Sequence, residues 1–205
     1  MNNDFYDFGP RSSPSNIIED LDVLTPQRAY AGIGSRKTPS DVLKDMEAFA
    51  YIAAKHNWML RSGYAEGADI TFERGCDNGQ GKKEIFLPWP GFRYNIFSEY
   101  LRPTKEAHEL AAKVHPAYKK LSHTAKSLVA RNMHQILGYD LKSPVQFVVC
   151  YTPNGQETMK QYNTKSGGTG SAIALADECG IPVYNLFNKD RYLDAVEFLL
   201  LHRNG

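Results

Sequence analysis

The sequence predicts an α/β domain built on a doubly wound, mostly parallel sheet of five or more strands, with helices on both faces. Three observations predict it. Short apolar runs at 28–34, 58–62, 84–88, 145–151 and 182–186 alternate with stretches of helical periodicity, the pattern of strand–helix–strand units. The run Val145-Gln146-Phe147-Val148-Val149-Cys150-Tyr151 is apolar almost throughout, as a strand buried on both faces of a parallel sheet must be. Glycines close the first two runs, Gly32 and Gly34 after one and Gly63 after the other, where the chain must turn tightly.

Taken in order, residues 1–27 stand apart as an N-terminal arm. They hold Gly9-Pro10, Ser12-Ser13-Pro14-Ser15 and Pro26, with one short helical turn expected at 17–21. The arm is either a loose terminus or a segment whose Phe5, Tyr6 and Phe8 pack on a neighbour or a second subunit. Residues 28–205 then form a single domain. A helix over 40–56 presents Val42, Leu43, Met46, Phe49, Ala50 and Ala53 on one face, with Ser40 as its expected N-cap. A second helix is expected over 65–76. After the third strand the chain runs through Trp89-Pro90-Gly91-Phe92-Arg93-Tyr94, opening an insertion around 89–120. Helices follow at 104–113 and 121–137, then the 145–151 strand and a loop over 152–166. A glycine-rich turn leads to a helix at 170–179, a strand at 182–186 and a last helix at 190–202.

The 205 residues suit one domain, and a chain of this size hides roughly 70% of its unfolded surface. Hydrophobic residues at 42% and charged residues at 23% exclude wholesale disorder. Lys+Arg at 24 against Asp+Glu at 23 argues against a surface that grips nucleic acid everywhere, and leaves room for a local basic cleft. Cys76, Cys150 and Cys179 have no zinc-ligand spacing and read as buried free thiols, in keeping with a reducing cytoplasm. No metal site or cofactor is expected. No apolar run reaches the ~18–20 residues of a membrane span, and the N-terminus lacks a signal-peptide pattern.

In an open parallel sheet, ligands bind where loops leave the carboxyl ends of the strands. Three such loops combine glycine with small hydroxyl residues: Gly34-Ser35-Arg36, Ser62-Gly63, and Ser166-Gly167-Gly168-Thr169-Gly170-Ser171. Glycine lets backbone N–H groups approach a ligand, and a helix N-terminus adds free donors and a positive dipole end, so the pattern is suited to phosphate. There is no GxxxxGK[ST] loop and no GxGxxG with a following acidic residue, which sets aside Walker NTPases and ordinary dinucleotide dehydrogenases. Asn132 falls on the apolar stripe of its helix beside Arg131, so each is either a structural partner for loop carbonyls or a group that reaches the ligand. Asp69 and Glu73, four residues apart, are the candidate catalytic carboxylates, able to hold a ribose hydroxyl or act as general base. The plainer alternatives are a helix-dipole partner for Asp69 and a solvated face for Glu73 and Asp77. His115 and His134 read as structural. Trp89, Phe92 and Tyr94 read first as loop packing and second as a stacking platform for a base.

These motifs resemble a known group. The chain over about 28–187 is similar to the Rossmann-like nucleotide-binding superfamily that contains the DprA/Smf proteins and the Lonely Guy phosphoribohydrolases. Ile33-Gly34-Ser35-Arg36 looks like the first DprA motif, Ser62-Gly63-Tyr64-Ala65-Glu66-Gly67-Ala68-Asp69 is similar to SGxAxGxD, and Arg131-Asn132 resembles the RN pair. Lys165-Ser166-Gly167-Gly168-Thr169-Gly170 resembles both the DprA KSG segment and the GGxGT of Lonely Guy enzymes. The resemblance implies a nucleotide-binding site, a compact phage-type DprA-like protein in the host cytoplasm, and a homo-oligomer. The glutamate that serves N-glycosidic cleavage in Lonely Guy enzymes falls here on Ala174, so Asp69, Glu73 or Glu66 would have to replace it. Three functions stay open: a nucleotide N-glycosidase; a sensor or sponge of a nucleotide or ADP-ribose-like signal; and a single-stranded DNA-binding recombination mediator. The last would use a basic track of Arg36, Lys37, Lys82, Lys83, Lys119, Lys120, Lys126 and Arg131.

Overall fold

The computed structural model describes residues 28–95 and 98–202. The expected N-terminal arm, with its helical turn and aromatics, lies outside the described residues. Along the described chain run β1 (Ala29–Gly34), α1 (Ser40–Lys55), β2 (Met59–Ser62), α2 (Ala68–Asn78) and β3 (Lys83–Ile85). They are followed by α3 (Lys105–Val114), α4 (His123–Leu137), β4 (Phe147–Tyr151), α5 (Thr169–Glu178), β5 (Val183–Asn185) and α6 (Asp190–Leu201).

The sheet order is β3-β2-β1-β4-β5 and every pairing is parallel. Strand alternation divides the core in two. Ala29, Ala31, Ile33, Val148 and Cys150 face α3, α4 and α5, while Tyr30, Leu60, Phe147, Val149 and Tyr151 face α1, α2 and α6. Helices therefore cover both faces, as a doubly wound sheet requires. Tyr30, Phe49, Trp58 and Phe147 meet edge-on or stacked at the centre of the second layer. The chain works outward from β1 through β2 to β3, then returns to the other side of β1 with β4. The loops after β1 and β4 thus part in opposite directions and leave a crevice between them.

Four expectations need correction. α2 begins at Ala68 rather than at residue 65, because Gly67 takes φ +81° and stands outside the helix. Ser40 is the first helical residue of α1; Pro39 holds the cap position with no side-chain bond. β3 ends at Ile85: the Phe86 N–H still reaches the Ser62 carbonyl of β2 at 2.9 Å, while Phe86 also bridges to Tyr100 and the Leu87 N–H reaches the Tyr100 carbonyl at 2.9 Å. Cys76 and Cys150 are buried, but Cys179 is exposed at the C-cap of α5. Among the described residues, no helix is long and apolar enough to cross a membrane, and no group of three or more His, Cys, Asp or Glu could hold a metal.

Candidate functional site

A cleft of about 780 Å³ opens at the carboxyl ends of β1 and β4, where the winding reverses. Its floor and rim come from the loop after β1 (Gly34, Ser35, Arg36, Lys37) and the segment entering α5 (Lys165–Thr169). One wall is a single stripe of α4: Thr124, Leu128, Arg131, Asn132 and Gln135, at helical spacing. Trp89 and Phe92, from the segment after β3, form another part of the wall, packed edge to face at 5.1 Å.

The four sequence motifs lock one another in place. Gly34 allows α2 to seat Ala68 against β1, since a Cβ on Gly34 would lie 2.7 Å from that of Ala68. Gly63 makes room for Arg131: a Cβ there would stand 0.9 Å from its Nη1. Gly67 combines its positive φ with close approach to the Ser35 carbonyl and the Arg36 backbone. Asp69, the second residue of α2, then pairs with Arg131 at 3.2 Å. Both side chains are more than nine-tenths buried. Burial pushes the Asp69 carboxyl above its usual range, against the pull of the neighbouring guanidinium and the Ala65 and Gly34 backbone. Gln135, with its amide turned to satisfy both ends, accepts from Arg131 Nη1 at 3.2 Å and from the Gly63 N–H at 3.0 Å. It also donates to Asn132 Oδ1 at 3.0 Å. The Nε of Arg131 is buried with no protein partner.

The entrance to α5 is arranged for an anion. Gly167 adopts φ +59° and ψ −154°, a conformation open essentially to glycine alone. The Gly168 carbonyl is held by two donors, Asn132 Nδ2 at 2.7 Å and the Ser171 hydroxyl at 2.9 Å. Because a trans peptide points its N–H opposite to its C=O, fixing that carbonyl fixes the Thr169 N–H as well. α5 has no side-chain cap at its N-terminus, so the unpaired donors and dipole of its first turn are left for a ligand. Arg36, Lys37 and Lys165 are exposed at the rim, and among the described residues no carboxylate pairs with any of them. Of the carboxylates lining the cleft, Asp69 is held by Arg131 and Glu66 by Arg93.

Of the residues singled out from sequence, Gly34, Ser35, Arg36, Asp69, Arg131, Asn132, Ser166, Gly167, Gly168 and Thr169 line this cleft. Ser62, Gly63, Gly170 and Ser171 stand behind its walls. The Ser62 hydroxyl donates to the Gly32 carbonyl at 2.7 Å, and a Cβ on Gly170 would collide with Ser166 and Tyr162. Glu73 faces elsewhere: it binds Lys83 at 2.8 Å and borders a separate hollow with Glu84 and Glu99. The reason is geometric, since Asp69 sits in the first turn of α2 under the cleft and Glu73 is a full turn further along. Asp77 shares the same Lys83. Tyr94 is almost fully exposed and, unlike Trp89 and Phe92, takes no part in the wall. Sequence reasoning does not pick out Gln135 and Thr124, and it reads Leu128 as part of the apolar stripe of its helix; their spacing from Arg131 and Asn132 on one helical stripe is the signal that finds them.

The fold has counterparts among solved structures. DNA processing protein A from Helicobacter pylori, described for its single-stranded DNA binding mode, superposes with a TM-score of 0.51 at 17% identity, over 89% of this chain and 83% of that one. The chain has a DprA-like, Rossmann-type fold. DNA processing protein A (DprA) from Streptococcus pneumoniae gives a TM-score of 0.48 at 18% identity, covering 88% of this chain and 58% of that one. The molybdenum cofactor carrier protein from Chlamydomonas reinhardtii gives 0.39 at 15% identity, covering 85% of this chain and 99% of that one. No protein-family model and no curated protein matches the sequence. What the DprA-like fold contributes is position: its strand reversal accounts for where the cleft lies and which loops border it.

Proposed function

We propose that the cleft binds the phosphate of a nucleotide or nucleotide-derived small molecule, and that it recognises this ligand without cleaving it. One observation carries the reading. Every glycine among the described residues is required by a positive φ or by a neighbour that a Cβ would strike, except Gly168. Gly168 has right-handed helical angles, and a Cβ on it would meet nothing within 4 Å. Packing and backbone angles give no reason for a glycine here, and at the N-cap of α5 a serine, asparagine or aspartate would serve the helix better, whereas a ligand phosphate seated against the first turn of α5 favours the smallest residue. The aromatic pair Trp89 and Phe92 supplies an apolar surface for the base end of such a ligand.

Recognition without turnover is supported by the carboxylates. A general base must be free to take a proton, and Asp69 is committed to a buried ion pair. Glu66 is engaged by Arg93, Glu73 lies outside the cleft, and Ala174 is fully buried on the core side of α5. A second reading, single-stranded DNA binding, draws on the Helicobacter pylori structure and on the same rim of unpaired cations.

The test is Gly168→Ala. The angles suit alanine, which favours the variant by about 0.4–1 kcal/mol, and alanine is a poorer N-cap than glycine, which offsets that gain. The variant is therefore expected to melt close to the temperature of the parent protein while losing nucleotide binding in calorimetry. Binding that survives intact would remove the α5 entrance from the site.

A further inference from the structure

Building on that reading, we infer that the ligand is a diphosphate ester, two linked phosphoryl groups with a nucleoside at one end, whose second phosphoryl group is held by Arg36 and Lys37 of the loop after β1. The cleft has two cationic, backbone-rich edges rather than one. The first is the Lys165–Thr169 segment, which combines the α5 N-terminus with the Lys165 ammonium. The second is the loop after β1, whose Arg36 and Lys37 project at the rim. They descend from β4 and β1, which are neighbours in the sheet, so the two edges face each other across the strand reversal.

Charge decides the number of phosphates. A phosphate monoester carries about −1.5 to −2 at neutral pH. The α5 N-terminus supplies roughly half a positive charge and Lys165 a full one, which already approaches that value. Arg36 and Lys37 would then find no counter-charge among the described residues beside a monophosphate. A second phosphoryl group on the β1 side answers them. Arg131 lies on the wall with Asp69 as its own counter-ion, so it adds a donor without adding net charge. A volume of about 780 Å³ sits in the upper part of the ~300–1,000 Å³ range of small-molecule sites.

The experiment is calorimetry at constant ionic strength on the full chain, with nucleoside mono- and diphosphates of each base and with ADP-ribose. Charge-assisted hydrogen bonds to a second phosphoryl group should give the preferred diphosphate at least about a tenfold tighter Kd than its monophosphate. The double variant Arg36→Ala with Lys37→Ala should erase that difference by weakening the diphosphate about tenfold more than the monophosphate; both side chains are exposed, so the fold should tolerate their loss. Lys165→Ala should weaken both ligands together. Equal affinity for mono- and diphosphates overturns the inference while leaving the nucleotide reading standing. A diphosphate preference that survives the double variant overturns it too, because the second group then lies elsewhere. If no nucleotide binds and oligo-dT does, the inference and the reading on which it rests both fall.

Discussion

Asn132 is a positioning residue by this geometry. Its amide holds the Gly168 carbonyl, and through that peptide it sets the direction of the Thr169 N–H. Asn132→Ala should cost about 1 kcal/mol of stability, the usual net worth of one hydrogen bond, because Ser171 still holds the same carbonyl. It should cost nucleotide binding about tenfold, since a mis-aimed donor forfeits a charge-assisted bond. Asn132→Asp should abolish binding, as a carboxylate cannot donate to the carbonyl and adds a negative charge to the wall. Comparing melting with titration calorimetry separates the two effects. His134 carries a different prediction. Its Nε2 accepts from the Thr104 N–H at 3.1 Å, so Nδ1 bears the proton and donates to the Gly138 carbonyl at 3.0 Å. Burial holds its pKa below the ordinary value of 6.5, and the same direction applies to His108 and His115. With the folded pKa depressed, the unfolded chain binds more protons just below pH 6.5. Stability should therefore be full above about pH 7 and fall as pH drops through 6.5 toward the folded value. His134→Phe, which keeps a ring in the stack between Phe86 and Tyr139, should lower the melting temperature at pH 7.5 yet flatten its decline between pH 7 and 5. An unchanged slope would assign the acid sensitivity to other groups.

At the scale of elements, β2 and α2 act as a bracket that holds α4 against the loop after β1. The bracket closes on the Asp69–Arg131 pair. Removing one partner leaves the other buried and uncompensated, which typically costs about 3–5 kcal/mol. Arg131→Ala and Asp69→Ala should each destabilise by that order in chemical denaturation. The double variant should fall well short of the sum, because neither charge is then stranded. Strict additivity would mean that the two side chains are not coupled. How much of this was legible in the sequence follows from the physics of each element. β4 could be read from its unbroken apolar run, and α1 from its periodicity, because burial selects residue types strongly there. The glycine motifs could be located, but their division of labour could not. Gly63 and Gly168 look alike in sequence; one clears space for Arg131 from a distant helix, and the other faces an open cleft. Spacing on α2 grouped Asp69 with Glu73, yet a helix that dips under a site at its first turn carries its second turn away from it. Gln135 escaped notice because a single amide on a buried stripe has no local signature; its role exists only once Gly63, Arg131 and Asn132 converge.

Over the whole molecule, the distribution of charge separates a small-molecule site from a strand-binding surface. The formal net charge is +1, so long-range attraction for a polyanion is weak and any grip on DNA must be local. The basic track read from sequence does not stay together. Lys82 precedes β3 and Lys83 opens it, at the amino end of the strand, whereas the cleft is at the carboxyl ends. Lys83 is also neutralised by Glu73 and Asp77. Lys126 lies over the Tyr118 ring. Among the described residues, what remains at the cleft without a counter-charge is Arg36, Lys37 and Lys165. Each phosphate contact on a single strand contributes about −0.7 to the slope of log K against log salt. Three cations therefore limit the slope for oligo-dT to about −2, and a continuous track of eight would give a slope more than twice as steep. A slope near −2 that vanishes when a nucleoside diphosphate is added in excess means that a strand and a small ligand share one cleft. A steep slope that the nucleotide leaves untouched means that DNA is held on a surface away from it. In that case exposed lysines outside the cleft, such as Lys119 and Lys120, rather than the cations of its rim, would be the feature to pursue.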